Sequence, residues 1–248
     1  MRPDASTTKH LVETGRHLIR LAILMRDWSS VALQASKIGG LVAPDIPSEA
    51  SRYVKVARGI ASLHTGALPE AARAFISVLP GGSGSGSSSW GEGEVASPND
   101  VAVYGAILAL ATMERPALRA EVLESATFRP YLELEPHLRK ALSFYVGGKY
   151  RACLEILEAY RPDYMLDVHL CKHVNMLYGR IRTKCIVQYL IPYSCISMDS
   201  LQETFGREGE PIAREVCGMI RSGALNARIN SIDKVSLELR NLRAGLAV

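Results

Sequence analysis

The chain has 248 residues, 48% hydrophobic and 22% charged, with a mean hydropathy of +0.06. That is enough apolar material for one large or two small domains with their own cores. No apolar run approaches the ~18 to 20 residues that a membrane span needs, and VAVYGAILALATM, the longest, is interrupted by Gly105 and reads as a buried helix.

Lys9, His10, Glu13 and Arg16 break up the N-terminus, so no basic-then-apolar leader is expected there. The net charge of +4 is unevenly spread: residues 1–79 carry ten basic and six acidic groups, residues 80–135 three and eight, and residues 136–248 sixteen and eleven. Such polarity suits docking against differently charged neighbours better than wrapping a polyanion. The five cysteines are odd in number and form no CxxC, which predicts reduced thiols and a cytoplasmic and nuclear protein.

In chain order, TKHLVETGRHLIRLAILM places Leu11, Leu18, Leu21, Ile23 and Leu24 at helical spacing. DWSSVALQASKI, PSEASRYVKVARGIASLHTG and LPEAARAFISVL follow as three more helices. Pro47 and Pro69 stand at helix starts, where a missing N–H is tolerated. RDWSSVALQA, TGALPEAARAF and GGKYRACLEIL each set a large apolar residue after a turn: Trp28, Leu68 and Tyr150. These anchors are 40 and 82 residues apart, close to one and two units of about 40. The pattern predicts stacked antiparallel helix pairs of the tetratricopeptide kind.

PGGSGSGSSSWGEGE, from Pro80 to Glu94, has high chain entropy and little to bury, and is expected to be a flexible loop within the array. Helices resume with NDVAVYGAILALATM, PALRAEVLESA, EPHLRKALSFYVGG and YRACLEILEAY. A long helix over His173–Tyr189 carries the stripe Val174, Leu177, Tyr178, Ile181, Cys185 and Gln188, and Pro192 ends it.

The remaining segment reads as a winged helix. Ser197 is an N-cap for Met198–Phe205, with Ile196 and Leu201 as its staple and Gly206 as its stop. Pro211 opens a second helix with the stripe Ile212, Val216, Met219 and Ile220, and Gly223 ends it. Leu225, Ala227 and Ile229 alternate with polar residues, as do Val235, Leu237 and Leu239, so the two runs predict a hairpin, the wing. The expected fold class is therefore mostly α: a helical repeat (residues 1–79), the Gly/Ser loop (80–97), a second helical region (98–192), a winged helix (193–240) and a tail (241–248).

A winged helix often reads DNA, with Lys and Arg of its second helix on phosphates. Here Arg207, Arg214 and Arg221 are balanced by Glu208, Glu210 and Glu215, and no Asn or Gln lies on the helix to read adenine. Nucleic acid is thus the alternative from another class, not the expectation. Residues 168–198 hold Lys172, Arg180, Arg182 and Lys184 and no Asp or Glu, a candidate basic contact face for an acidic partner.

A helical array running into a winged helix is similar to the PCI family of the proteasome lid, the signalosome and an initiation factor. The resemblance is carried by TTKHLVETGRHLIRLAILMRDWSSV, by SPNDVAVYGAILALATMERPALRAEVLESATFRPYLELEPHLR, by GGKYRACLEILEAYRPDYMLDVHLCKHVNMLYGRIRTKCIVQYLIPY and by LNARINSIDK, and it is strongest for the signalosome branch. It implies a non-catalytic scaffold of a complex that removes a ubiquitin-like modifier from cullins and so regulates cullin-RING ubiquitin ligases. Its partners would be other PCI subunits, met through the edge of the wing at Leu225, Ala227, Ile229, Val235 and Leu237, with cullin-RING ligases engaged indirectly. The paralogous subunit of the proteasome lid is the competing reading. Family members of this type also carry helices before residue 8 and long C-terminal helices.

No catalytic constellation is expected. His-x-His, HEXXH, GxSxG, a P-loop and GxGxxG are all missing from the sequence. DVHLCKH places Asp167, His169, Cys171 and His173 close together, but Cys171 falls on a different side of a helix from the two histidines. They read as ordinary histidines, and no cofactor or metal is expected.

Overall fold

The computed structural model describes residues 8–41, 49–80, 95–207, 209–230 and, as backbone, 236–239. Pro47, the Gly/Ser tract from residue 81 to 94, Val235 and the tail lie outside them. No described helix is long and apolar enough to cross a membrane.

The first four helices form two antiparallel pairs, α1 (Thr8–Leu24) with α2 (Trp28–Gly39), and α3 (Glu49–Thr65) with α4 (Leu68–Ile76). Asp27 caps α2 by accepting from the Ser30 N–H at 3.1 Å. Gly66, at φ +83°, makes the break before α4, where few other residues could turn the chain that way. The repeat anchors fall where their spacing implied: Trp28, Leu68 and Tyr150 are each the first residue of the second helix of a pair.

α5 (Pro98–Thr112) starts in a capping box, with Ser97 and Asp100 each satisfying the other's backbone N–H. It is buried on nearly every side, which accounts for its lack of a polar face. Gly105 lets the Phe128 ring approach so closely that a Cβ there would lie 2.6 Å from it. α6 (Arg115–Ala117) runs on as a π-helical turn to Leu123, followed by α7 (Arg129–Leu134), α8 (Pro136–Val146), α9 (Tyr150–Met165) and α10 (Val174–Leu190). One core of buried side chains extends from Val56 through α5 and α10 to Ala227, and a smaller one lies among α1, α2 and α3. Trp28 packs against both.

The C-terminal unit consists of β1 (Cys195–Ser197), α11 (Met198–Phe205), α12 (Ile212–Arg221), β2 (Ala227–Asn230) and β3 (Ser236–Leu239). The expected two-stranded hairpin is in fact part of a three-stranded antiparallel sheet of order β1-β3-β2. Ile196 pairs with Leu237 on one side of β3, and Ile229 pairs with Leu237 on the other. β1 is three residues long and leads straight into α11, with Ser197 capping that helix by accepting from Ser200 N–H. Gly206 caps α11, as expected.

Candidate partner interface

The strand order decides which part of the wing can meet another chain. β3 is hydrogen-bonded on both sides, so Leu237 belongs to a central strand and is not an edge position. β2 pairs with β3 on one side only, and among the described residues no strand covers its other side. Its side chains divide by face: Ala227, like Leu225 just before it, is buried, Ile229 packs against the core, and Arg228 is exposed. Leu225, Ala227 and Ile229 therefore hold the strand down on its own helices. What the strand offers outward is main-chain N–H and C=O, which in a strand point alternately to its two margins.

The start of α12 is sealed. Gln202 Oε1 accepts from the Ile212 N–H at 2.7 Å, filling the position where a helix N-terminus would otherwise meet an anion. Glu215, in the first turn, is turned inward onto Arg182. Arg182 Nε donates to both carboxylate oxygens at 2.8 and 3.0 Å, and its Nη2 donates to one of them and to the Phe205 carbonyl. This pair bolts α12 and the end of α11 onto α10.

The basic contact face is thereby reduced. Lys172 and Arg180 are exposed, but Arg182 is 7% exposed and spent on Glu215. Lys184 is half-buried and caps the end of α5, donating to the Leu110 carbonyl at 2.9 Å and to the Met113 carbonyl, with its ammonium 5.2 Å from the centre of the Tyr145 ring. Burial lowers its pKa, while Glu114 pulls the other way. Both residues are internal fasteners because α10 runs through the middle of the molecule, and a cation on its inner side must find carbonyl or carboxylate oxygen.

The histidines of DVHLCKH meet a partner far away in sequence. His64, near the end of α3, stacks on Trp28 with ring centres 3.8 Å apart and sits 3.1 Å, Nε2 to Nδ1, from His169. His173 approaches His64 edge-on, and its buried Nε2 has no hydrogen-bond partner in the structure. Asp167 is engaged elsewhere: it accepts from Tyr104 Oη at 2.8 Å and from the N–H groups of His169 and Leu170. Burial, then His169 and His173, push the His64 pKa down to about 4, and burial also lowers those of His169 and His173. Among the described residues no group of three or more His, Cys, Asp or Glu side chains has metal-holding geometry. The cluster is a joint between α2, α3, α5 and the turn before α10. His64 and Gln202 were missed by sequence reasoning, since each acts on a partner that only the fold brings close.

Comparison with known proteins agrees with this architecture. The family described as 26S proteasome subunit RPN7 matches residues 1–121, and the PCI domain matches residues 157–235. The chain is 46% identical over 235 residues to COP9 signalosome complex subunit 1 of Neurospora crassa (94% of this chain, 54% of the relative). It is 30% identical over 238 residues to the protein of the same name in Arabidopsis thaliana (94% and 52%). It is 21% identical over 227 residues to 26S proteasome non-ATPase regulatory subunit 6 of rice (92% and 56%). The chain thus spans about half the length of the curated relatives it matches. Helical pairs leading into a winged helix, the PCI match and these relatives together place the chain in the PCI-domain family, alongside COP9 signalosome complex subunit 1.

Proposed function

We propose that the chain is a non-catalytic scaffold subunit of the signalosome, which joins sibling PCI subunits through the open margin of β2 and so supports cullin deneddylation. The observation that carries this reading is the strand order: β3 is enclosed, while β2, which like β1 is an edge strand, has no strand on its other side among the described residues. A sibling strand added there would satisfy the outward N–H and C=O groups. Cullin-RING ligases would be regulated through the assembled complex. The five free cysteines suit a reducing location, cytoplasmic and nuclear. The match of residues 1–121 to the RPN7 family keeps a second reading, a PCI subunit of the proteasome lid, in view. Identity of 46% to a signalosome protein against 21% to a lid protein favours the first.

The test uses neighbouring residues of β2. Arg228 and Ile229 point their N–H groups to opposite margins, so Arg228→Pro and Ile229→Pro each remove one. One substitution breaks the ladder to β3 and destabilises the wing. The other leaves thermal unfolding close to that of the parent and abolishes co-elution with signalosome PCI subunits. If a variant of each kind is folded and both still assemble, the margin is not the joint. Co-elution with lid subunits instead would favour the second reading.

A further inference from the structure

Along α10 and the turn that precedes it, every fourth residue stands clear of the molecule: Val168, Lys172, Met176 and Arg180. Val168 is 79% exposed and Met176 38%, while Leu166, at the tip of the same turn, is 85% exposed. The turn is helical in its hydrogen bonding, with Cys171 N–H donating to the Asp167 carbonyl and Val174 N–H to the Leu170 carbonyl, so the four side chains follow one another about a turn apart. They alternate apolar, basic, apolar, basic.

A row at four-residue spacing is the kind of ridge that fits into the groove of another helix. Gly179 lies beside it, and a Cβ there would meet nothing within 4 Å, which leaves a shallow furrow flanking the ridge. The charge of the row is uncompensated from its own segment, because residues 168–198 contain no Asp or Glu. The nearest carboxylate in sequence, Asp167, is turned inward onto Tyr104 and two backbone N–H groups. On α9, Glu158 is paired with Arg161, which also donates to Asn175. Apolar side chains this exposed are costly to leave in water, and one flanked by cations selects its cover by charge.

We propose that this ridge is a second docking surface, which takes an α-helix bearing apolar and acidic residues alternately at four-residue spacing. It lies on α10, not on the sheet, and it is independent of the β2 margin. The apolar positions of the guest cover Leu166, Val168 and Met176, and its carboxylates meet Lys172 and Arg180.

The full chain can be titrated with two synthetic helical peptides that share a Leu row and differ only in Glu or Lys at the alternating positions. The Glu peptide is expected to bind about tenfold more tightly than the Lys peptide, since both cation contacts change from attractive to repulsive. The double variant Lys172→Glu with Arg180→Glu should invert that order, and Val168→Ser with Met176→Ser should weaken both peptides. All four positions are exposed, so circular dichroism should find these variants folded. Equal binding of the two peptides, binding of neither, or an order unchanged by the charge reversal would overturn the proposal. None of these results bears on the β2 margin, because no sibling subunit enters the assay.

Discussion

His64 shows how a single side chain can hold two parts of the molecule together at the expense of its own proton. Its ring lies flat on Trp28 and within hydrogen-bonding distance of His169, and burial keeps it neutral, with its pKa pushed down to about 4. The groups around it offer no rescue for a proton: Lys172 and Arg26 are cations, and Asp167 and Asp100 act on His169 instead. In the unfolded chain the same imidazole titrates near its ordinary value, about 6.5. Above that pH neither state holds the proton and the full stability of the joint is present. As pH falls from about 6.5 toward 4 the unfolded state gains protons that the folded state refuses, so stability declines through that window. His169 and His173 are shifted in the same direction and add to the slope. Urea midpoints should therefore stay nearly level from about pH 7.5 to about 6.5 and fall from there to about pH 5, and His64→Phe, which keeps a ring over Trp28, should flatten that fall. An identical slope in that variant would remove His64 from the account.

At the scale of elements, the same residue type plays opposite parts in two helices. Gly105 in α5 gives up its side chain to the Phe128 ring, with which a Cβ would collide at 2.6 Å, whereas a Cβ at Gly218 in α12 would meet nothing. Gly105→Ala should thus destabilise by about 1 to 3 kcal/mol through overpacking, and Gly218→Ala should stabilise by about 0.5 to 1 kcal/mol through chain entropy. Denaturant titration of the two variants checks both signs at once. Elements whose cause is local were open to sequence reasoning. Ser197 and the anchors Trp28, Leu68 and Tyr150 announce helix starts by chemistry within a few residues. β1 was not legible, because three residues are too few to show alternation and the strand exists only through its ladder to β3. Nor could the sequence sort the basic residues of α10 and of the turn before it. Lys172 and Arg180 look like Arg182 and Lys184 until Glu215 and the carbonyls of Leu110 and Met113 come into place.

Over the whole molecule, stability is passed from one helix pair to the next, with α5 and Trp28 at the junction. α5 touches α4 on one side and α7, α8 and α10 on the other, so the larger core is continuous from the second pair to the wing. The α1–α2 pair belongs to the smaller core and is tied to the rest through α3 and through Trp28, which packs against both cores and carries the stacked His64. In a stacked array each unit is held by its neighbours, so a lesion at a junction should free the terminal pair first. Trp28→Ala removes a partly buried indole and should cost about 2 to 4 kcal/mol locally. Hydrogen exchange read by mass spectrometry should then show faster exchange in α1 and α2, with α8, α9 and α10 protected as in the parent. A loss of protection spread evenly over all the helices would mean that the two cores unfold as one, and that the junction at Trp28 has no separate role.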